Sequence, residues 1–316
     1  MTEMLTDSSA PPAPTGPVHA RVLEALDWAM LVAVDPTLLE SSPSEPTEAE
    51  WKALPIETLR THLDAILIVP GVDEGLEALQ RMGLFRALMP EVEAMVDLGD
   101  AEWRHKDVWK HTKQVVMQSV PRLSVRWGAL LHDIGKPKTR KIDERGRVTF
   151  HGHAELGARM FRRKMGRRLG FDEQLEERIH FLILFHLRPS QYEESWTDAA
   201  VRRFYKQMGE GLRDLLDLGR ADITTKRPAK RKRGVRNISD LKKRIEALQA
   251  EDDQVPPLPK GLGKVVMEHF EIPPSKRVGD LMKQLDEVAR AGEVEAQQPF
   301  EHYIAFLEAN RDRFGL

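Results

Sequence analysis

The sequence predicts an all-α protein with a single short β-hairpin, and three observations predict it. Apolar residues recur at three- and four-residue spacing along most of the chain, the interval that lines one face of a helix. Helix boundaries punctuate that pattern, as with Asp107 ahead of Val108, Pro121 after Val120, and Gly135 and Pro137 after the run ending at Ile134. Only Thr139–Asp143 and Arg147–Phe150, either side of Glu144-Arg145-Gly146, carry a strand and turn signal.

Taken in order, Met1–Pro17 is rich in Pro, Ser, Thr and Ala and carries acid rather than a basic start. It is expected to be a disordered leader, not a secretory signal. Val18–Val34 reads as an amphipathic helix, followed by a Ser/Pro/Glu-rich break at Leu39–Thr47. Ile56–Ile68 and Val72–Met82 are two further helices, the second ending at Gly83. Trp103–Val120 is a helix with Asp107 as its N-cap and Val108, Thr112, Val115 and Val116 on one side. Val125–Ile134 is a buried helix. Beyond the hairpin, helices are expected over His153–Leu169, Asp172–His186, Thr197–Met208, Leu212–Asp222 and Ser239–Gln249. Asp252–Lys260 is a Pro-rich linker, and Lys264–Phe314 carries three more helices.

Composition narrows the function classes. At 316 residues, 41% hydrophobic and 31% charged, the chain has the makeup of a soluble globular protein. No stretch approaches the roughly 18 uninterrupted apolar residues of a membrane span. Cysteine is absent, which excludes a disulfide framework and a thiolate metal site, and makes the cytoplasm the default location. Net charge is only −2, but its distribution is uneven. Thr224–Arg236 holds seven basic residues and no acid: Lys226, Arg227, Lys230, Arg231, Lys232, Arg233 and Arg236. Taken alone such a run is a solvated loop. Following directly on Asp222, it is placed to attract a nucleic-acid backbone, and without interleaved aromatics it would track phosphates rather than stack bases.

Six residues carry the chemistry: His111, the doublet His132–Asp133, His153, His186 and Asp222. Most sit within apolar helical segments, where imidazole and carboxylate are poor choices unless something binds them. A divalent metal is the commonest such partner, because neutral imidazole nitrogen and ionised carboxylate oxygen are its standard ligands. Asp107, four residues before His111, is near enough on the same face to orient it.

The order H…HD…H…H…D, with Leu130-Leu131-His132-Asp133-Ile134-Gly135-Lys136 at the doublet, resembles the HD superfamily of metal-dependent phosphohydrolases. Arg104–Thr112, Leu130–Pro137, Phe150–Glu155 and Ala200–Phe204 are similar to the HD region of bacterial CCA-adding tRNA nucleotidyltransferases. Pro55–Met95 resembles the helical segment before that region, and Leu262–Val294, more weakly, the tRNA-binding C-terminus. Those enzymes have a polymerase head with a Gly-Gly phosphate loop and paired aspartates. Neither feature is found here, so the expectation is the hydrolytic half without the polymerase.

The resemblance implies an HD-domain helical bundle at 100–225, after a leader (1–17) and an N-terminal helical region (18–99). A basic segment, helix and linker (226–260) and a helical tail (261–316) follow it. It further implies two divalent ions, one held by His111, His132, Asp133 and Asp222 and the other by Asp133, His153 and His186, with Asp133 bridging. Ligands of nitrogen and oxygen without sulfur suit Mn, Fe, Ni, Co or Mg. Phosphate-ester hydrolysis fits such a site, acting on nucleotides or RNA, tRNA included, as a 2′,3′-cyclic phosphodiesterase and 2′-nucleotidase or phosphatase. Lys136, leaving the doublet after a glycine, is the expected phosphate clamp. His105 is either the acid for the leaving oxygen or a residue behind a ligand. His151 is either a further metal ligand or a loop residue. The competing expectation is an RNA- or tRNA-binding module with a structural metal site, partnering a separate nucleotidyltransferase.

Overall fold

The computed structural model describes residues 17–96, 98, 107–252 and 256–316, in two compact units that divide between Ile245 and Glu246. The expected disordered leader, but for Pro17, lies outside the described residues, as does His105. The architecture is all-α with one two-stranded sheet.

The first unit opens with α1 (Pro17–Val34), where Val22, Ala25, Leu26, Ala29 and Val32 form a buried stripe at helical spacing. A short helix, α2 (Glu48–Ala53), follows the Ser/Pro/Glu-rich break. Thr47 and Glu50 cap it reciprocally, and its buried Trp51 donates to Met82 O at 2.9 Å. A helix of that length is too short to show a period in the sequence. Next come α3 (Ile56–Ile68) and α4 (Val72–Arg81), both packed on α1, and then α5 (Leu84–Leu88) and α6 (Pro90–Val96).

The middle of the chain surrounds one central helix. Asp107 caps α7 (Val108–Gln118) by accepting from Lys110 N at 3.0 Å. After it comes α8 (Leu123–Leu131), buried at every position from Val125 to Leu131. A helix apolar on all sides belongs at the centre of a bundle. It packs against α3, α7, α12 (Glu173–Phe185) and α14 (Leu212–Ala221). Trp127 on α8 donates to Asp64 Oδ1 at 2.6 Å. At its start, Arg122 bonds Asp214 and Asp217 of α14 at 2.5 and 3.1 Å, and Ser124 bonds Asp214 at 2.7 Å.

After α8 the chain makes the tight turn of residues 132–135 and the single-turn α9 (Lys136–Thr139). Strands β1 (Lys141–Ile142) and β2 (Val148–Thr149) then pair antiparallel, Lys141 opposite Thr149 and Ile142 opposite Val148. The paired segment is shorter than the alternation suggests. Helix α10 (His153–Met160) starts at Gly152, whose φ of 76° is a conformation glycine adopts without strain. It continues through a π-helical turn, Phe161–Met165, into α11 (Gly166–Arg168). Asp172 caps α12, and Thr197 caps α13 (Asp198–Met208), which leads to α14.

The basic run also differs from expectation. The basic run is not a loop before a helix at Ser239; it is the opening of α15 (Pro228–Asp252). Pro228 suits a helix start, Lys and Arg are good helix formers, and the stripe Ile238, Leu241 and Ile245 is buried below the charged turns. No buried residue precedes Ile238 in the helix, so charge hid the helical start. The second unit holds α16 (Leu262–His269), α17 (Lys276–Arg290), α18 (Phe300–Ala309) and α19 (Arg311–Phe314) around Leu262, Val266, Leu285, Tyr303 and Leu307. The Tyr303 hydroxyl lies 3.0 Å from both Pro257 O and Glu295 O, tying the linker to this core.

The tightest backbone approach in the central region joins the doublet turn to α10. A Cβ on Gly135 would stand 2.1 Å from His153 O and 2.8 Å from Gly157 N, both main-chain atoms. Gly135→Ala must therefore push α10 away and carry His153 with it. Chemical denaturation should register a loss of about 1–3 kcal/mol, the range for overpacking, with helical circular dichroism retained. Wild-type stability in that variant would mean that the two segments part freely.

Candidate metal centre

Five separate helices deliver the six His and Asp residues to one place. His111 lies within α7, and His153 is the first residue of α10. His132, His186 and Asp222 are the C-caps of α8, α12 and α14. Three helix C-termini thus end at the cluster, where the negative end of a helix dipole favours a cation.

Main-chain carbonyls three residues upstream set three of the imidazoles. His132 Nδ1 lies 2.7 Å from Ala129 O, His186 Nδ1 2.8 Å from Ile183 O, and His153 Nδ1 2.8 Å from Phe150 O. A carbonyl only accepts, so Nδ1 carries the hydrogen and each Nε2 turns its lone pair to the interior. His111 is held differently, its Nδ1 2.8 Å from Thr224 Oγ1. Asp107, expected to orient it, is instead committed to capping Lys110 N. The sequence carried no signal for Thr224 beyond its place two residues after Asp222.

The inward atoms form two groups, His111, His132 and Asp222 in one and Asp133, His153 and His186 in the other, each within 4.8 Å of one another. Within the first, His111 Nε2 lies 3.1 Å from Asp222 Oδ1 and 3.4 Å from His132 Nε2. Within the second, His153 Nε2 is 3.1 Å from His186 Nε2 and 3.4 Å from Asp133 Oδ1. Asp133 serves both. Its Oδ2 stands 3.1 Å from His132 Nε2 and 3.5 Å from His111 Nε2, while its Oδ1 faces His153 and His186.

Two features test whether these residues suit a metal. Asp133 Oδ1 is buried without a hydrogen-bond partner, an expensive arrangement for a carboxylate oxygen. The His153 and His186 lone pairs also confront each other. Ligands about 2.1 Å from a shared ion stand roughly 3–3.4 Å apart; two of the three pairs in each group have that spacing, and the third pairs stand 3.8 and 3.9 Å apart. The donor set is nitrogen and oxygen only, and it fits divalent ions.

A model of the HD domain matches residues 104–227. Residues 104–227 are an HD domain. This family comprises metal-dependent phosphohydrolases. Over 255 residues the chain is 31% identical to the A-adding tRNA nucleotidyltransferase of Deinococcus radiodurans, covering 78% of this chain and 57% of that protein. Over 272 residues it is 30% identical to the CC-adding tRNA nucleotidyltransferase of Thermus thermophilus, covering 84% and 60%. A multifunctional CCA protein of Pseudomonas fluorescens is 31% identical over 128 residues. The chain thus spans somewhat under two thirds of the length of the first two relatives. No helix among the described residues is long and apolar enough to cross a membrane.

The other expected residues divide. Lys136 reaches the centre, its Nζ 2.5 Å from Asp133 Oδ2 and 5.6 Å from the Phe150 ring centroid. His151 is exposed in the turn before α10 and belongs to neither group. Of the seven basic residues, Lys226, Arg231 and Lys232 line a cavity of about 860 Å³ beside the centre. Arg227, Lys230, Arg233 and Arg236 do not line it. Arg220, which sequence reasoning missed, does.

Electrostatics separate the two sides of the centre. Burial works to raise the Asp133 carboxyl, but His132, Lys136 and His186 outweigh it and hold it well below the usual range. Asp222 is likewise held low, His111 and His132 prevailing over burial. Burial pushes His186 down to about 4 and lowers His153 as well. His132 goes the other way: burial lowers it, but Asp133 and Asp222 more than compensate and raise it above 6.5.

A raised imidazole keeps its proton to higher pH, and a metal must displace that proton. Metal affinity should therefore rise with pH until His132 is neutral, with proton release attributable to His132 and none to His186. Calorimetric titration of metal at about pH 6 and about pH 8, in buffers of different ionisation enthalpy, measures both quantities. Affinity independent of pH over that interval would contradict the assignment.

Proposed function

We propose that this HD domain hydrolyses phosphate esters of nucleotides or RNA with two divalent ions, as a 2′,3′-cyclic phosphodiesterase and 2′-nucleotidase or phosphatase acting in the cytoplasm. The observation that carries the reading is the two-sided Asp133 carboxylate, one oxygen toward each histidine group. His111, His132 and Asp222 would hold one ion, His153 and His186 the other, and Asp133 both. Mn, Fe, Ni, Co and Mg all suit such ligands.

Divalent ions, when bound, supply Lewis acidity toward phosphoryl oxygens and a water of lowered pKa. The chain's own residues do the rest. Backbone carbonyls keep His132, His153 and His186 in the tautomer that offers Nε2. Lys136 neutralises Asp133 Oδ2, and an ion taking that oxygen would leave its ammonium free for a phosphoryl oxygen. His105, six residues before His111, is proposed to protonate the leaving oxygen. Of the basic residues from Lys226 to Arg236, those that line the cavity, Lys226, Arg231 and Lys232, would draw in the phosphate backbone.

One observation favours a second reading. The first two relatives named above are tRNA nucleotidyltransferases, so the second proposal is a tRNA-binding module that partners a nucleotidyltransferase, its metal site structural. One experiment separates the two readings. Chelator-stripped protein is given Mn, Fe, Ni, Co or Mg singly and assayed on 2′,3′-cyclic AMP and bis(p-nitrophenyl) phosphate. The hydrolase reading expects turnover with at least one metal, a loss of at least about 100-fold in Asp133→Ala, and RNA binding spared in that variant. Folded, RNA-binding protein that turns over neither substrate with any metal would favour the module.

Lys136 gives a further test. Lys136→Met should tighten metal binding, since the ammonium no longer competes for Asp133 Oδ2, while raising KM for the phosphate ester. Weaker metal binding in that variant would reverse the assigned role.

A further inference from the structure

We propose that the cavity between α7, α14 and the opening of α15 is a strand subsite, receiving the phosphodiester backbone of an RNA whose terminal phosphate lies at the metal centre. The inference rests on the phosphohydrolase reading and narrows its substrate from free nucleotides to oligonucleotide ends.

Position comes first. The cavity wall includes Ala221, Ile223 and Thr224, the turn that carries Asp222, and Thr224 Oγ1 also touches His111. Gln118, on the opposite wall, fastens that turn by donating to Ala221 O at 2.8 Å. A strand lying here would therefore continue directly to the metal ligands.

Charge comes second. Arg220, Lys226, Arg231 and Lys232 all line the cavity. Arg231 bonds the neutral amide of Gln118, at 3.1 Å, and among the described residues Arg220, Lys226 and Lys232 form no salt bridge. The one acid in the wall, Asp217, is engaged by Arg122. Such uncompensated positive charge in a concave surface favours a polyanion.

Size and chemistry agree with a strand. At about 860 Å³ the cavity stands near the top of the range of roughly 300–1,000 Å³ that holds one small ligand. It has no aromatic lining for base stacking, but Gln114, Gln118 and Thr225 supply neutral polar groups beside the cations. That combination follows a backbone rather than reading bases.

Helix geometry supplies a matched control. Arg231 and Lys232 share with Pro228 and Val235 the face of α15 that lines the cavity. Lys230 and Arg233 lie about 150° around the same helix at 100° per residue. Arg231→Glu/Lys232→Glu and Lys230→Glu/Arg233→Glu thus make the same charge change on the two faces. Fluorescence anisotropy would follow binding to the full chain of a labelled single-stranded RNA about eight nucleotides long. The proposal expects the cavity-facing pair to weaken binding at least about 10-fold and to reduce the salt slope by about 1.4, two single-strand phosphate contacts. It expects less than about a third of that loss from the outward pair. Equal losses, or none in the cavity-facing pair, would overturn it. Thermal unfolding confirms that both variants fold.

The same RNA ending in a 2′,3′-cyclic phosphate, assayed against 2′,3′-cyclic AMP, separates this inference from the reading beneath it. A lower ratio of strand to mononucleotide kcat/KM in the cavity-facing variant supports the subsite. An unchanged ratio with both substrates turned over overturns the subsite and leaves the hydrolase standing. Binding lost as expected, with neither substrate turned over by wild type, overturns the hydrolase and leaves the cavity as an RNA site.

Discussion

A buried carboxylate with two occupied faces governs the centre of this protein. Asp133 is 1% exposed, and neither of its oxygens reaches bulk water. One is met by His132, His111 and Lys136, the other by His153 and His186 with no hydrogen bond at all. A charge so placed is tolerable only where cations converge on it, and the rest of the bundle can be understood as the scaffold for that convergence. Gly135 lets α10 come close enough to bring His153, and the buried α8 fixes where the doublet emerges.

The bundle achieves convergence with helix ends more than helix faces. Three C-termini and one N-terminus supply most of the inward atoms, and in α8 and α12 a carbonyl of the last helical turn doubles as the acceptor that orients an imidazole, His132 or His186. Each histidine set in this way bonds the carbonyl three residues before it, at 2.7 to 2.8 Å. A device that needs only local backbone is well suited to holding a site whose members come from distant parts of the chain. His111 is the exception. Lying within α7, its neighbouring carbonyls are taken up by the helix, and it relies on Thr224 across the fold.

The same turn that provides Asp222 and Thr224 forms a wall of the basic cavity, so the proposed chemistry and the proposed strand path share their supporting structure. Charge on the opening of α15 is therefore directional. Regular helical spacing turns Arg231 and Lys232 toward the cavity and Lys230 and Arg233 away from it, a distinction absent from a run of basic letters.

The sequence by itself determined the all-α class, the cap at Asp107, the onset of helices near Asp172 and Thr197, and a helix such as Ile56–Ile68 to the residue, because periodicity and capping are local properties. Composition and chain order, joined to a family resemblance, also picked out the six inward residues. It was blind where local signals were short or masked: α2 has too few turns to show a period, and the like charges of Lys226–Arg236 concealed the start of α15. Only the tertiary structure decided that Thr224, not Asp107, sets His111, that Lys136 rests on Asp133, and that Arg220 joins the cavity. Those are contacts between residues far apart in sequence or choices between competing partners, and spacing along the chain does not encode the angle at which two helices meet.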